Sequence, residues 1–309
     1  MTIGRLIASR NLTALGRPVL SDARHPPSRN RKALIIMSKN SVSLRTALVT
    51  GADGGLGLEI ARHLARQQAH VILHTRTAEL GEQAVRTLVT GGAPAGRLSV
   101  AVADFADLGQ VGALARQIAA DHRKLDLLVN NAALFGSQTR TLTGDDHEIT
   151  FQVNYLAPYL LTRLLWPTLT VTPGSRVLNV SSALHRGGRM HWGDVDSAKR
   201  YSAVAAYAQS KLALNLFTKA VAVRGGTGLV AASVHPGILA TGMVRNYTRE
   251  AGRPVSEGAT AVVHLAGAKV EDGGYYEGMA ASTPNTLMND PGSVDRLWKL
   301  SARLVGMAA

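Results

Sequence analysis

The sequence predicts one α/β domain: a doubly wound parallel sheet of about seven strands with helices on both faces. Three observations predict it. Strand-like and helix-like stretches alternate from about residue 44 to the C-terminus, the pattern of a parallel sheet covered on both sides. The strands are short apolar runs, as expected when both faces are buried. No repeat, linker or change of composition interrupts the chain after residue 44, which favours one domain over two.

Taken in order, Thr46-Ala47-Leu48-Val49 is apolar and β-prone, and Leu58 to Ala65 has helical spacing with Ile60 and Leu64 four apart. Val71–Thr75 reads as a second strand, Glu79–Val89 as a helix ending before Gly91-Gly92, and Leu98–Val102 as a third strand. Leu108–Ala120 is helical and Leu125–Asn130 is a fourth strand. Asp145–Leu169 reads as one long helix or a broken one, with Pro158 and Pro167 as kinks. Arg176–Val180 is a fifth strand, Ala203–Arg224 a strong helix, and Leu229–His235 a sixth strand stopping at Pro236-Gly237. Val255–Ala266 is helical, and Gly274-Tyr275-Tyr276 gives a short last strand. The Ala203–Arg224 helix is rich in small residues and apolar over much of its surface, which points to a helix-mediated homodimer or homotetramer.

Composition narrows the function. The 309 residues hold no cysteine, which excludes disulfides, a cysteine nucleophile and thiolate metal sites and fits a reducing, cytoplasmic setting. His185 and His191 are six apart with no supporting pattern, so no metal site is expected. The net charge of +13 raises nucleic-acid binding. Seven basic residues and one acid fall in residues 1–36, however, and the remainder is not one basic stripe. With 5% aromatics a stacking surface for single strands is disfavoured, and no nucleic-acid partner is expected. Residues 1–36 read as a basic tail or as an over-extended start, with Met37 the alternative first residue, in preference to an organelle-targeting segment. No stretch reaches the length of a membrane span.

Between the first strand and first helix lies Thr50-Gly51-Ala52-Asp53-Gly54-Gly55-Leu56-Gly57. A strand, a glycine-rich turn and a helix without a gap are what a dinucleotide-binding turn requires. Glycine lets the backbone come close to a ligand, and the free N–H groups of the helix start face a pyrophosphate. With Tyr207-Ala208-Gln209-Ser210-Lys211, Asn179-Val180-Ser181-Ser182-Ala183-Leu184-His185, Leu125–Ala132, Asn154, His235-Pro236-Gly237 with Thr241, and Arg296–Ser301, the chain resembles the classical short-chain dehydrogenase/reductase family, and within it the retinol-dehydrogenase-like branch. The resemblance runs from about Leu44 nearly to the C-terminus and implies a single-domain Rossmann fold over residues 44–309.

It also implies a cofactor site made by Gly51, Asp53, Gly55, Leu56, Gly57, Asp104 at the adenine, Asn130 near the adenine ribose, Ala132, Pro236-Gly237 beneath the nicotinamide, and Thr241 on its carboxamide. Ala133 stands where the family has glycine, and Asp53 where it often has a neutral residue. A carboxylate beside the pyrophosphate repels it unless it points away or caps the helix, and capping or a turn role is the preferred reading. Arg76 follows the second strand where an acid would hold the free 2′-hydroxyl of NAD. A guanidinium suits a 2′-phosphate, so NADP(H) is expected over NAD(H).

Tyr207 and Lys211 are four apart and share a helix face. A neighbouring ammonium and a nicotinamide cation would favour tyrosinate, and the resemblance implies that Tyr207 exchanges a proton with the substrate oxygen while Lys211 holds the nicotinamide ribose. Ser182 is preferred over Ser181 as the hydroxyl on the reacting oxygen. Asn154 is a poor interior helix residue, which suggests a specific bond or local distortion; the resemblance implies a water-held proton relay to Lys211. The long segment between Ser182 and Tyr207 is expected to wall the substrate site, with Met190, Trp192, Met243 and Tyr247 as apolar wall residues. The leading function is hydride transfer between NADP(H) and a small-molecule alcohol or carbonyl, apolar in character. The alternative is a cofactor-binding sensor or scaffold without turnover.

Overall fold

Side chains that alternate across each strand divide the core in two. In β1 (Thr46–Thr50) Leu48 enters one apolar cluster, while Ala47 and Val49 enter the other. The same division holds in β2 (His70–Thr75), where Ile72 opposes Val71 and Leu73. The computed structural model describes residues 46–243 and 252–309; the segment 1–36, Met37 and Tyr247 lie outside them.

The strands continue with β3 (Leu98–Val102), β4 (Leu127–Asn130), β5 (Ser175–Val180), β6 (Leu229–His235), β7 (Gly274–Glu277) and β8 (Ala280–Ala281). Their order is β3-β2-β1-β4-β5-β6-β7-β8, so the order reverses between β1 and β4. The first seven strands pair in parallel. The expected count of about seven is thus met by the parallel strands. The eighth is a two-residue antiparallel strand that turns back at Gly278. Ligands of such sheets bind beyond the carboxyl ends of the strands at the point of reversal, which is where the cavity described below opens.

One face carries α1 (Gly55–Arg66) and α2 (Ala78–Thr90), with Ile60, Leu64 and Leu88 in its core. The other carries α3 (Leu108–Asp121), with Val111, Leu114 and Ile118. Polar side chains set several starts: Thr77 accepts from the Leu80 N–H, and Asp107 from the Gln110 N–H.

Of the two readings of 145–169, one long helix or a broken one, the structure has the broken one, in four short pieces. Glu148 accepts from the N–H groups of Thr150 and Phe151, which delays the start to α4 (Ile149–Phe151). A π-helical turn follows at Gln152–Leu156, then α5 (Ala157–Leu164) and α6 (Trp166–Thr170). Pro158 offers no N–H to the carbonyl of Asn154, and Pro167 none to that of Arg163. The α-helical ladder cannot run through either position.

The helix α7 (Ala203–Gly225) is buried around most of its circumference. On the α1 face of the sheet α8 (Val255–Gly267) packs against α1, and on the opposite face α9 (Pro291–Leu304) packs against α7. The apolar surface that suggested a helix-mediated oligomer is therefore covered within the chain. Trp298 of α9 stacks on Phe217 at 6.3 Å, meets Tyr159 edge-on at 5.5 Å, and lies under the guanidinium groups of Arg163 and Arg224, each at 4.4 Å. Trp298→Ala is expected to cost about 3–5 kcal/mol of stability, measured by denaturant unfolding, with partial recovery in Trp298→Phe.

The far end of α9 is tied by His147. Its Nδ1 lies 3.2 Å from Asp196 Oδ1 and its Nε2 lies 3.4 Å from the carbonyl oxygen of Leu304. Both partners are acceptors, and only an imidazolium donates to both. The Asp196 hydrogen bond holds the imidazole above its usual pKa. A raised folded-state pKa gives stability that is full below the unfolded value near 6.5 and lost as pH rises through the folded value. Wild type should therefore lose more stability than His147→Gln between pH 5.5 and 8.5, read as the difference in thermal midpoints. Among the described residues no helix is long and apolar enough to cross a membrane.

Candidate active site

The glycine turn is built against β4. Gly51 has φ +64°, and a Cβ there would lie 2.9 Å from the Cα of Ala132. A Cβ on Gly57 would run into the carbonyl oxygen of Gly51, so only glycine lets α1 begin this close to the strand end. Thr50 Oγ1 donates to the Val129 carbonyl at 3.3 Å and accepts from the Asn131 and Ala132 N–H groups, each at 2.9 Å. Asn131 Nδ2 donates to the carbonyls of Thr50 at 2.8 Å and Gly51 at 3.2 Å. The side chain that fastens the turn is therefore Asn131. Asn130 points the opposite way, into the core, where its amide bonds Asn179 at 2.8 Å and Thr162 at 3.2 Å. Asn130 is the last residue of β4 and Asn131 the first beyond it, and the alternation of the extended chain turns the two to opposite sides.

A cavity of about 930 Å³ opens above this turn. Of the expected cofactor residues, Gly51, Asp53, Gly55, Leu56, Arg76, Asp104, Ala132, Tyr207, Lys211, Pro236, Gly237 and Thr241 line it; Gly57 and Asn130 do not. Arg76 stands exposed after β2, and Asp104 follows β3 with Oδ1 accepting from the Ala106 N–H at 2.9 Å. Asp53 does not cap α1: the cap position is Gly54 and no side chain bonds there. Its carboxylate is exposed at the cavity instead.

The reactive groups come from β5 and α7. Ser182, Tyr207 and Lys211 converge on the same cavity. Burial pushes the Tyr207 phenol up to about 12, and a hydrogen bond with Ser182 offsets part of that. Lys211 Nζ donates to the Val180 carbonyl at 2.9 Å and sits 5.6 Å from the Tyr207 ring centre. Burial lowers its ammonium to about 7. Burial is the leading cause at both groups and disfavours both charged forms, so it works against the tyrosinate that a neighbouring ammonium and a nicotinamide cation are expected to favour. Ser181, the rival serine, also lines the cavity, but its buried Oγ has no hydrogen-bond partner among the described residues.

Asn154 lies in the π-helical turn, as the poor fit of asparagine to a helix interior suggested. Its amide accepts from the Leu134 N–H at 2.8 Å and donates to the Leu134 carbonyl at 2.9 Å and to Ser210 Oγ at 3.1 Å. It does not line the cavity; it fixes the strand-to-wall segment that does.

The walls differ from expectation. Only the ends of the segment between Ser182 and Tyr207 reach the cavity, through Ala183, Leu184 and Val204. Met190 belongs to the core, and Trp192 packs beside it under the Arg296 guanidinium at 4.7 Å. Met243 does line the cavity, together with Leu134, Phe135, Val153 and Ile238, which sequence reasoning missed. Phe135 stacks on Tyr207 at 4.8 Å. His185 is fully buried: Nδ1–H donates to the Ser182 carbonyl at 2.7 Å, and Nε2 accepts from the Asn285 N–H at 3.2 Å. Among the described residues no cluster of histidine and acidic side chains could hold a metal ion.

Similarity to known proteins runs the same way. A family model described as short chain dehydrogenase matches residues 45–252. Retinol dehydrogenase 13 of Mus musculus is 33% identical over 291 residues, which cover 88% of this chain and 86% of that protein. An uncharacterized protein from Mycobacterium Paratuberculosis superposes with a TM-score of 0.73 at 32% identity, covering 86% of this chain and 95% of that one. The RhlG/NADP active-site complex of Pseudomonas aeruginosa superposes with a TM-score of 0.61 at 25% identity, covering 77% of this chain and 95% of that one.

Proposed function

We propose, from the premise that this chain belongs to the short-chain dehydrogenase family, in its retinol-dehydrogenase-like branch, and so is an oxidoreductase of CH–OH and carbonyl groups, that it uses NADP(H) and that Tyr207 is its general acid and base. The observation that carries the reading is the convergence of Ser182, Tyr207 and Lys211 with the glycine turn on one cavity. The residues fit a dinucleotide: only glycine at Gly51 and Gly57 lets the turn close against Ala132 and Asn131, and that turn brings Gly51, Gly54, Gly55 and Leu56 to the cavity. Arg76 on the cavity rim would pair with a 2′-phosphate, and the similarity to an NADP-bound relative at 25% identity favours the same cofactor.

Bound there, the nicotinamide supplies or accepts the hydride. The protein's part is orientation and proton transfer. Ser182 holds the reacting oxygen beside the phenol of Tyr207, both on the cavity. Tyr207 keeps its proton across neutral pH because burial raises it, so in reduction it delivers that proton to the oxygen as negative charge develops. Lys211, held by the Val180 carbonyl, orients the ribose. Asn154 positions a water-carried proton path to Lys211. The substrate is a small-molecule carbonyl or alcohol of apolar body, received by Leu134, Phe135, Val153, Leu184, Ile238 and Met243.

The test is NADPH oxidation against a panel of apolar ketones and aldehydes. Turnover with NADPH preferred over NADH is the expected result. Tight NADPH binding without turnover on a broad panel would favour a cofactor sensor instead.

A further inference from the structure

We propose that His74 is a positioning residue for the cofactor. It is an uncharged imidazole that locks the glycine turn to the ends of β2 and β3 and so sets the spacing between the turn, Arg76 and Asp104. The inference rests on the dinucleotide reading above and adds to it a residue outside the glycine motif.

His74 is the penultimate residue of β2, is 3% exposed, and nevertheless lines the cavity. Its two ring nitrogens are used in opposite senses. Nδ1 accepts from the Gly51 N–H at 3.2 Å, and Nε2 faces the carbonyl oxygen of Ala103 at 3.0 Å, to which it must donate. These two bonds fix one neutral tautomer. The backbone adds a third tie, since the Ala52 N–H donates to the His74 carbonyl at 2.9 Å. The ring lies flat on Phe105 at 4.2 Å with 19° between planes. One side chain thus touches the start of the turn, Ala103 just after β3, and Phe105 two residues further on. Arg76 emerges two residues after it and Asp104 directly after its partner Ala103.

The charged groups acting on the ring are Asp53 from the turn and Asp104 from the end of β3, and both favour the imidazolium. Burial outweighs them and holds the ring down to about 4. The geometry requires the same outcome: a protonated Nδ1 would aim an N–H at the N–H of Gly51 and push the turn away.

The two bonds can be separated by substitution. In His74→Asn the amide oxygen stands where Nδ1 stood and keeps an acceptor for Gly51. In His74→Gln the amide reaches towards Nε2 and keeps a donor for Ala103. His74→Leu keeps neither. NADPH dissociation constants would be measured on the full chain by fluorescence titration, together with KM for NADPH, kcat, and the thermal midpoint without cofactor.

Loss of the Gly51 bond, at about 1–1.5 kcal/mol, is about a tenfold effect. His74→Gln and His74→Leu should therefore bind NADPH about tenfold more weakly, with KM raised and kcat within about twofold, while His74→Asn stays within about threefold of wild type. Affinity unchanged in all three would overturn the inference. So would equal weakening in His74→Asn and His74→Gln that tracks the thermal midpoint, the mark of a merely structural residue. Should His74→Leu fail to fold, the contrast between His74→Asn and His74→Gln still decides. A wild-type chain that binds neither NADPH nor NADH would overturn the dinucleotide reading itself, a result distinct from either of these.

Discussion

Tyr207→Phe is expected to lower kcat/KM for carbonyl reduction about 10³-fold while leaving NADPH affinity within about twofold. The phenol is 8% exposed and its ring stacks on Phe135. Phenylalanine preserves that stack and nearly all of its volume, so what disappears is the hydroxyl and its proton. Burial raises the phenol to about 12, so the proton-donating form is present throughout neutral pH and reduction has its donor in place without a preceding protonation. The loss should appear in kcat and kcat/KM together, as for an interaction made in the transition state. A variant within tenfold of wild type would mean that the proton comes from another group.

Arg76→Glu should reverse the cofactor preference. Removing a guanidinium from a 2′-phosphate loses charge-assisted hydrogen bonds of about 1.5–3 kcal/mol, and a carboxylate in its place adds repulsion. The kcat/KM with NADPH is expected to fall about 100-fold, while that with NADH rises severalfold as the carboxylate bonds the free 2′-hydroxyl. Arg76 is exposed after β2, so the fold should tolerate the change, and an unchanged thermal midpoint would show it. Equal losses with both cofactors would place Arg76 outside the ribose site.

Much of this was legible in the primary structure because it is local. The glycine spacing from Gly51 to Gly57 and the Tyr207–Lys211 pair each report one turn or one helix face. The start of α9 was equally legible and went unread: Asp290 caps and Pro291 opens the helix, and Val294, Leu297, Trp298 and Ser301 then recur at helical spacing. The distortion at Asn154 was foreshadowed by the residue itself, and Pro158 four residues on explains why no regular helix passes through it. His74 had no such signal. Its partners stand 23 and 29 residues away in the chain, and they meet only because β1 and β3 both pair with β2.

The sequence by itself determined the alternation of strands and helices, the dinucleotide turn and the helix face that carries Tyr207 and Lys211. The alternation and the helix face depend on the periods of 2.0 and 3.6 residues that backbone geometry imposes everywhere, and the turn on glycines that tolerate positive φ and close approach. The tertiary structure alone decided that Asn131 rather than Asn130 fastens the turn, that α9 covers α7, and that Met190 and Trp192 leave the cavity wall to Phe135 and its neighbours. It also decided the direction in which Tyr207 and Lys211 shift. Each of these outcomes depends on which surfaces meet and how much water they exclude. Strand order and packing across long chain separations set both, and neither is written in the spacing of neighbouring residues.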